Sequence, residues 1–187
     1  MSATKDQIAE AMRALARHTP FDLINVNAII KQAYVSTNTF YYYFHNKYAV
    51  VEWLFERDTA LVMKEKNEKT DGFLTTNDVL ELMSHEKAYY INIANSSAAI
   101  YWENQIISIS RNIHDQQIDQ VLQGRPINSY LKNTLSDFFT FAAAYTIILR
   151  VRRGMIALYT DYETDFSTLN LDSLHFAVEW CLQKNKN

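Results

Sequence analysis

One stretch of the chain, Val26 to Lys47, restricts the fold more than any other. It reads VNAIIKQAYVSTNTFYYYFHNK. In its first half, apolar residues recur with the i, i+3, i+4, i+7 spacing of one buried helical face: Val26, Ile29, Ile30 and Ala33. Asn25 is a suitable N-cap for this helix. Because a helix of about two turns is unstable alone in water, this one must pack against neighbouring elements.

The second half of the stretch predicts another short helix with an unusual outer surface. Ser36 is a suitable N-cap after a turn at Tyr34-Val35, and Val35, Phe40 and Phe44 supply the buried side. The residues left outside are hydroxyl, amide and phenol side chains: Thr37, Asn38, Thr39, Tyr41, Tyr42 and, in one of two orientations, Tyr43. Solvated helices normally expose Lys and Glu, so this surface is typical of a helix that meets a polar partner.

These features together resemble the helix-turn-helix of the tetracycline-repressor (TetR) family of bacterial transcription regulators. The resemblance covers Ile24 to Lys47, including the first helix, the valine after the turn, the Ser-x-x-Thr-Phe-Tyr start of the recognition helix and the Asn46-Lys47 that follows it. One position departs from the family pattern. Tyr34 stands where the family usually has glycine, at a turn position with positive φ that costs a side chain roughly 1–2 kcal/mol.

The resemblance implies a set of DNA contacts. Such recognition helices place their N-terminal half in the major groove. The implied base contacts are Thr37, Asn38 and Thr39, the implied phosphate contacts are Tyr41, Tyr42 and Lys47, and Asn25 and Asn27 begin the preceding helix beside the DNA. Tyr43 faces either the DNA or the protein core. The alternative interpretation of the tyrosines is ordinary packing against the N-terminal helix.

The composition predicts an all-α fold. Three glycines and two prolines in 187 residues are too few for the turns of a β-rich protein. Helical patterns indicate eight or nine helices, three of them in the N-terminal domain. We expect a helix-turn-helix domain over residues 1–47 and a larger effector-binding and dimerisation domain over 48–187. The charged run from Lys64 to Thr76 is expected to form a loop, and Asn77 to Asn95 a single helix.

The C-terminal helices carry two further predictions. The run from Phe138 to Tyr159 is apolar enough to be the centre of a core or half of an interface. The family resemblance implies that the last two helices pair with their copies across a twofold axis, which places two DNA readers on a palindromic operator. It also implies a pocket for a small effector of unknown identity, with candidate lining residues His85, Tyr89, Tyr101, Trp102, Phe138 and Tyr145. Each of these has core packing as its alternative.

Charge and motifs narrow the class of protein. The net charge is −3, but the segment through Lys47 carries five basic and three acidic residues, as a DNA reader on an acidic body would. A membrane span, a secretory signal and a structural disulfide are not predicted, so we expect a cytoplasmic protein. The scattered histidines predict no metal site, and no motif predicts a catalytic residue, so we do not expect an enzyme.

The sequence therefore predicts a ligand-responsive homodimeric repressor that binds double-stranded DNA. Two alternatives stay open. The first keeps the fold but has a protein partner as the controlling signal, or activates transcription. The second is a helical protein-binding module with a vestigial helix-turn-helix.

Overall fold

The computed structural model describes residues 3–70, 74–155 and 166–184, and the regular secondary structure of this part of the chain is all helical, as predicted. It contains one 3-10 helix, Phe21–Leu23, and nine α-helices: α1 Ala3–Ala16, α2 Val26–Gln32, α3 Thr37–Tyr43, α4 Lys47–Thr70, α5 Thr76–His85, α6 Lys87–Ala94, α7 Ala99–Leu122, α8 Ser129–Arg152 and α9 Phe166–Lys184. We call α1 to α3 the reading head and α4 to α9 the body.

The core runs from the reading head into the body. Ile8 and Met12 of α1, Phe40 of α3 and Leu54 of α4 are fully buried in one hydrophobic cluster that continues to Trp102 of α7. A smaller cluster joins α7, α8 and α9 around Ile118, Phe139, Leu174 and Val178. Helices α2 and α3 have seven residues each, and this shared core supplies the packing that they need. The boundary after residue 47 stays a prediction.

Two element predictions in the body were wrong. The charged run after Met63 is not a loop from its start, because α4 continues as a helix to Thr70. Lys and Glu are strong helix formers, so this polar segment can extend the helix without a buried face. The predicted single helix over 77–95 is two helices, because Glu86 leaves helical geometry at φ −121° and ψ 40°. There its carboxylate pairs with Arg17 of the reading head.

Helix α8 is longer at its start than the apolar run suggested. It begins at Ser129, with the Asn128 side chain accepting from the Tyr130 backbone N–H at 2.8 Å, and ends at Arg152. The predicted continuation to Tyr159 lies partly outside the described residues. By length and composition α8 is apolar enough to cross a membrane, and 44% of its most apolar window is buried within the protein. The core helix of a soluble protein has the same properties, so the absence of a membrane partner stays a prediction.

Candidate nucleic-acid interface

Capping side chains fix the two short helices of the reading head as the sequence predicted. Asn25 Oδ1 accepts a hydrogen bond from the Ala28 backbone N–H at 2.9 Å and starts α2. Ser36 Oγ accepts from the Thr39 backbone N–H at 3.0 Å and lies 2.8 Å from Thr39 Oγ1, which starts α3. Each cap satisfies a backbone donor that the helix itself leaves unpaired.

The turn between α2 and α3 is left-handed at Tyr34, as predicted. Its φ is 51°, and the next residue closes the turn through a hydrogen bond from Val35 N to Ile30 O at 3.2 Å. This closure ends α2 and returns the chain toward the core, where Val35 is partly buried. The Tyr34 side chain is 91% exposed.

Helix α3 buries one side and exposes the other. Phe40 is fully buried and Phe44 nearly so, whereas Thr37 and Asn38 are exposed. Tyr42 is 81% exposed and Tyr41 54%. We define the recognition surface as the exposed residues of α3 together with the half-buried Thr39: Thr37, Asn38, Thr39, Tyr41 and Tyr42. The structure thus brings the predicted contact residues of α3 together on one outer face, where hydroxyls, an amide and phenols provide donors and acceptors.

The other predicted contact residues are placed differently. Asn27 is exposed at the start of α2, beside the cap Asn25. Tyr43 is half-buried, with its ring edge against Tyr42 at 4.9 Å between centroids. Lys47 points inward and donates to the carbonyl oxygens of Phe21 at 2.9 Å and Ile24 at 2.8 Å. Two of the three ammonium donors of Lys47 are therefore already in use, which leaves one for a phosphate.

The charge distribution of the reading head also differs from the simple expectation. Arg13 is buried against Asp58 of α4, with Arg13 Nη2 2.5 Å from Asp58 Oδ2, and Arg17 pairs with Glu86. These cations hold the reading head to the body and do not form a DNA-facing patch. The segment from Leu23 through Val51 contains no Asp or Glu, so no carboxylate of this segment repels a DNA phosphate.

A polar clasp centred on Asn92 of α6 joins the body to the reading head. Asn92 Nδ2 donates to Ala16 O at 2.6 Å and to Thr19 O at 2.7 Å, while its Oδ1 accepts from Phe21 N at 3.0 Å. A second contact follows, in which Asp22 accepts hydrogen bonds from Ser97 and its pKa is lowered by them. Asn92 was not predicted from the sequence, since a lone amide on a short helix gives no pattern that marks a bridging role.

A buried ionic network lies under the same junction. Asp58 accepts from Arg13, from the Tyr90 hydroxyl at 2.9 Å, and from Arg57 at 3.0 Å; Arg57 also reaches Glu10 of α1 at 2.5 Å. Burial, followed by the charge of Asp58, raises the pKa of Tyr90 well above its usual range. The phenol therefore stays protonated and donates to Asp58. Such a network fixes the position of α1 relative to α4 and α6, because each removed partner leaves a buried group unpaired.

Within the described residues, the candidate effector residues lie in different places. His85 lines a cavity of about 590 Å³ between α1, α4 and α5, whose walls are mostly charged side chains such as Arg13, Asp58 and Glu81. Tyr145 lines a separate apolar cavity of about 370 Å³ between α7 and α8. The remaining four are placed elsewhere: Tyr89 and Trp102 are buried in the core, Tyr101 stacks on Tyr48, and Phe138 is 67% exposed.

Phe138 belongs to an exposed apolar surface on the last two helices. On α8, Phe138, Phe141 and Tyr145 follow the i, i+3, i+7 spacing of one face and are all exposed. On α9, Leu169, Phe176 and Trp180 form a similar exposed row, and Phe176 is 72% exposed. We call these six residues the α8–α9 stripe. Exposed apolar side chains of this size on two neighbouring helices are typical of an interaction site.

Comparison with known proteins agrees with this geometry. The family model described as "Bacterial regulatory proteins, tetR family" matches residues 8–54, which include most of α1, the helix-turn-helix and the first part of α4. Residues 8–54 therefore form a helix-turn-helix domain of the TetR family. Because this is a domain of transcription regulators, the match agrees with the expectation that the chain is not an enzyme.

Two relatives carry the same name. The HTH-type dhaKLM operon transcriptional activator DhaS of Lactococcus lactis subsp. lactis (strain IL1403) is 30% identical over 82 residues, which is 44% of this chain and 42% of DhaS. The solved structure of the dihydroxyacetone kinase operon activator DhaS has the same fold, with a TM-score of 0.62 at 21% identity, and the match covers 98% of this chain and 96% of that one. The sequence match thus spans less than half of the curated relative.

Proposed function

We propose that this TetR-family protein is a sequence-specific DNA-binding transcription regulator that acts as a homodimer. The recognition surface is the observation that carries the proposal. Its five side chains are polar and uncharged, four of them are exposed and Thr39 is half-buried, and they are held on a helix whose buried face is fixed by Phe40 and Phe44. Hydrogen-bonding groups of this kind suit base edges and phosphates, and Asn38 can form a bidentate pair with adenine.

The α8–α9 stripe supports the dimeric part of the proposal. Large aromatic and aliphatic side chains on two adjacent helices gain free energy when a second copy covers them, at about 1.5–3 kcal/mol for each fully buried side chain. A twofold dimer then presents two recognition surfaces to half-sites one helical turn apart, and we expect a palindromic operator.

We propose activation of transcription as the sign of regulation, in place of the repression expected from the sequence. The support is that both relatives described above are named as operon activators. Transcription in vitro from a promoter that contains the binding site tests the sign. If the protein is an activator, adding it should increase the amount of transcript. A decrease would show that the protein is a repressor.

The clasp and the buried network support a route for a controlling signal. Helix α6 contacts the end of α1 through Asn92, while Asp58 of α4 holds Arg13 of the same helix. A ligand or a protein partner that shifts α4 or α6 would therefore tilt the reading head. Both kinds of effector stay predictions, and the cavity beside His85 suits a polar ligand better than an apolar one, because its walls are charged.

Selection of duplexes from a randomised DNA library tests the proposed function directly. We expect recovery of a palindromic motif and retardation of that duplex by the purified protein. The affinity should depend only moderately on salt, because few free cations lie near the recognition surface: Lys31 is exposed, and Lys47 at the start of α4 has one donor left. For a dimer this gives a slope of log K against log salt of about −4 or shallower. Failure to enrich any sequence at low salt would contradict the proposal.

A further inference from the structure

Tyr34 is a feature of the reading head that the proposed contacts leave unexplained. Its backbone is left-handed, at φ 51°, a conformation that L side chains rarely adopt and that glycine adopts without strain. Its ring is 91% exposed, so packing within the chain does not offset the strain. The geometry of the turn does not require a tyrosine at this position. Residues with a strained backbone are often found where a partner binds.

The surroundings of Tyr34 suit an anionic partner. Val35, the next residue, packs toward the core, and the exposed neighbours of Tyr34 along the chain include Lys31, Ser36 and Thr37. Ser36 caps the helix that carries the recognition surface. The acid-free segment from Leu23 through Val51 contains all of these residues, so no carboxylate of this segment opposes a phosphate.

We infer that Tyr34 is an additional DNA contact, whose hydroxyl donates a hydrogen bond to a phosphate oxygen at the edge of the groove that α3 enters. The inference rests on the proposed function, since it requires DNA against the recognition surface. A phenol donates one hydrogen bond and a phosphate oxygen accepts it. Contacts to phosphates position a protein without reading sequence, so Tyr34 contributes affinity and register but no base preference.

Two variants separate the hydroxyl from the backbone strain. Tyr34→Phe removes only the hydroxyl, and Tyr34→Gly removes the side chain together with the strain. The probe is the duplex that the wild-type protein selects from a randomised library, labelled and titrated by fluorescence anisotropy. We expect Tyr34→Phe to weaken binding several-fold and Tyr34→Gly about tenfold. The urea midpoint of Tyr34→Gly should rise at the same time, and both variants should select the same motif.

Gln123 provides a matched control. It also has a left-handed backbone, at φ 49°, but it lies at the C-cap of α7 in the body. Gln123→Gly should raise the urea midpoint as Tyr34→Gly does and leave DNA affinity unchanged. Replacing single phosphates of the duplex with methylphosphonate then locates the contact. At one position the replacement should weaken binding by the wild-type protein but not weaken binding by Tyr34→Phe any further.

The outcomes distinguish this inference from the proposed function. Wild-type protein that selects no duplex would contradict the proposed function, and the inference with it. If wild type binds its duplex and both Tyr34 variants bind equally well, only the inference is overturned. The same conclusion follows if no methylphosphonate position removes the difference between wild type and Tyr34→Phe. A stabilised Tyr34→Gly with weakened binding supports the inference.

Discussion

Two surfaces of this protein expose aromatic rings. The two surfaces differ in the polarity of the side chains that accompany the rings. On the recognition surface, Tyr41 and Tyr42 stand beside Thr37 and Asn38, so each ring carries or adjoins a hydrogen-bonding group. On the α8–α9 stripe, most of the rings are the fully apolar rings of phenylalanine, with Leu169 nearby. Exposure of aromatic residues therefore does not identify the partner. We propose DNA as the partner of the recognition surface, where polar groups accompany the rings, and a second copy of the chain as the partner of the stripe.

The largest expected effect is the loss of the dimer. Phe176→Asp places a carboxylate in the middle of the stripe, twice in a symmetric dimer, and burying it there without a partner is costly. We expect the dimer dissociation constant to rise at least about 100-fold, as measured by sedimentation equilibrium.

Ile100→Asp is the matched control for this variant, since Ile100 is an exposed apolar residue at the start of α7, outside the stripe. It should leave the dimer intact. Dimers of equal strength in both variants would show that the stripe does not pair copies of the chain.

The next largest effect concerns the clasp at Asn92, which joins the reading head to the body. Asn92→Ala removes three hydrogen bonds and leaves Ala16 O, Thr19 O and Phe21 N without their partner. We expect a loss of about 2–4 kcal/mol in the free energy of unfolding, from urea denaturation. The control Asn95→Ala, at the exposed C-cap of α6, removes a local hydrogen bond from Asn95 Nδ2 to Ile91 O and a long one of 3.4 Å to Arg152 O, and it should cost much less. If both variants lost the same free energy of unfolding, the clasp would not contribute more to stability than an ordinary local hydrogen bond.

The recognition surface should respond more modestly. Asn38→Ala removes an exposed amide, so we expect unchanged stability and a loss of about 1–3 kcal/mol in binding to the selected duplex. Asn104→Ala, an exposed asparagine of α7, should bind like wild type. Binding by Asn38→Ala as tight as that of wild type would show that α3 does not read bases through this residue.

The smallest expected effect is a pH dependence of the free energy of unfolding that arises from His114. His114 is buried between α7 and α9, with Nδ1 2.7 Å from Ser110 O and Nε2 3.0 Å from Asn170 Nδ2, and burial lowers its pKa below the usual 6.5. The unfolded chain therefore takes up this proton first, and stability should fall as pH decreases below about 6.5. His114→Leu should flatten the dependence between pH 7 and 5 in urea titrations. An equal slope in both proteins would contradict this assignment.

The reading head was more predictable from sequence than the body, for local reasons. The caps Asn25 and Ser36 and the turn at Tyr34 act within a few residues, and the structure has each as predicted. The break at Glu86 and the bridge of Asn92 depend on contacts with α1, about 70 residues earlier in the chain. The six candidate effector residues were grouped by chemical type, which does not specify distance in three dimensions.

Lys47 and Arg13 show the same limit for charge. Counting cations along the sequence suggested a basic DNA reader, but Lys47 donates to two carbonyl oxygens and Arg13 pairs with Asp58. A charge in the sequence indicates a partner of opposite sign without saying whether that partner is DNA or another part of the chain. Only the fold separates these cases.

A hydroxyl-radical footprint of the wild-type protein on its selected duplex tests the central claim most directly. If the recognition surface reads DNA and the stripe pairs two copies, protection should appear as two equivalent half-sites, symmetric about the centre and about 10 bp apart. Protection of one unpaired half-site at all protein concentrations would contradict the assignment of the two surfaces.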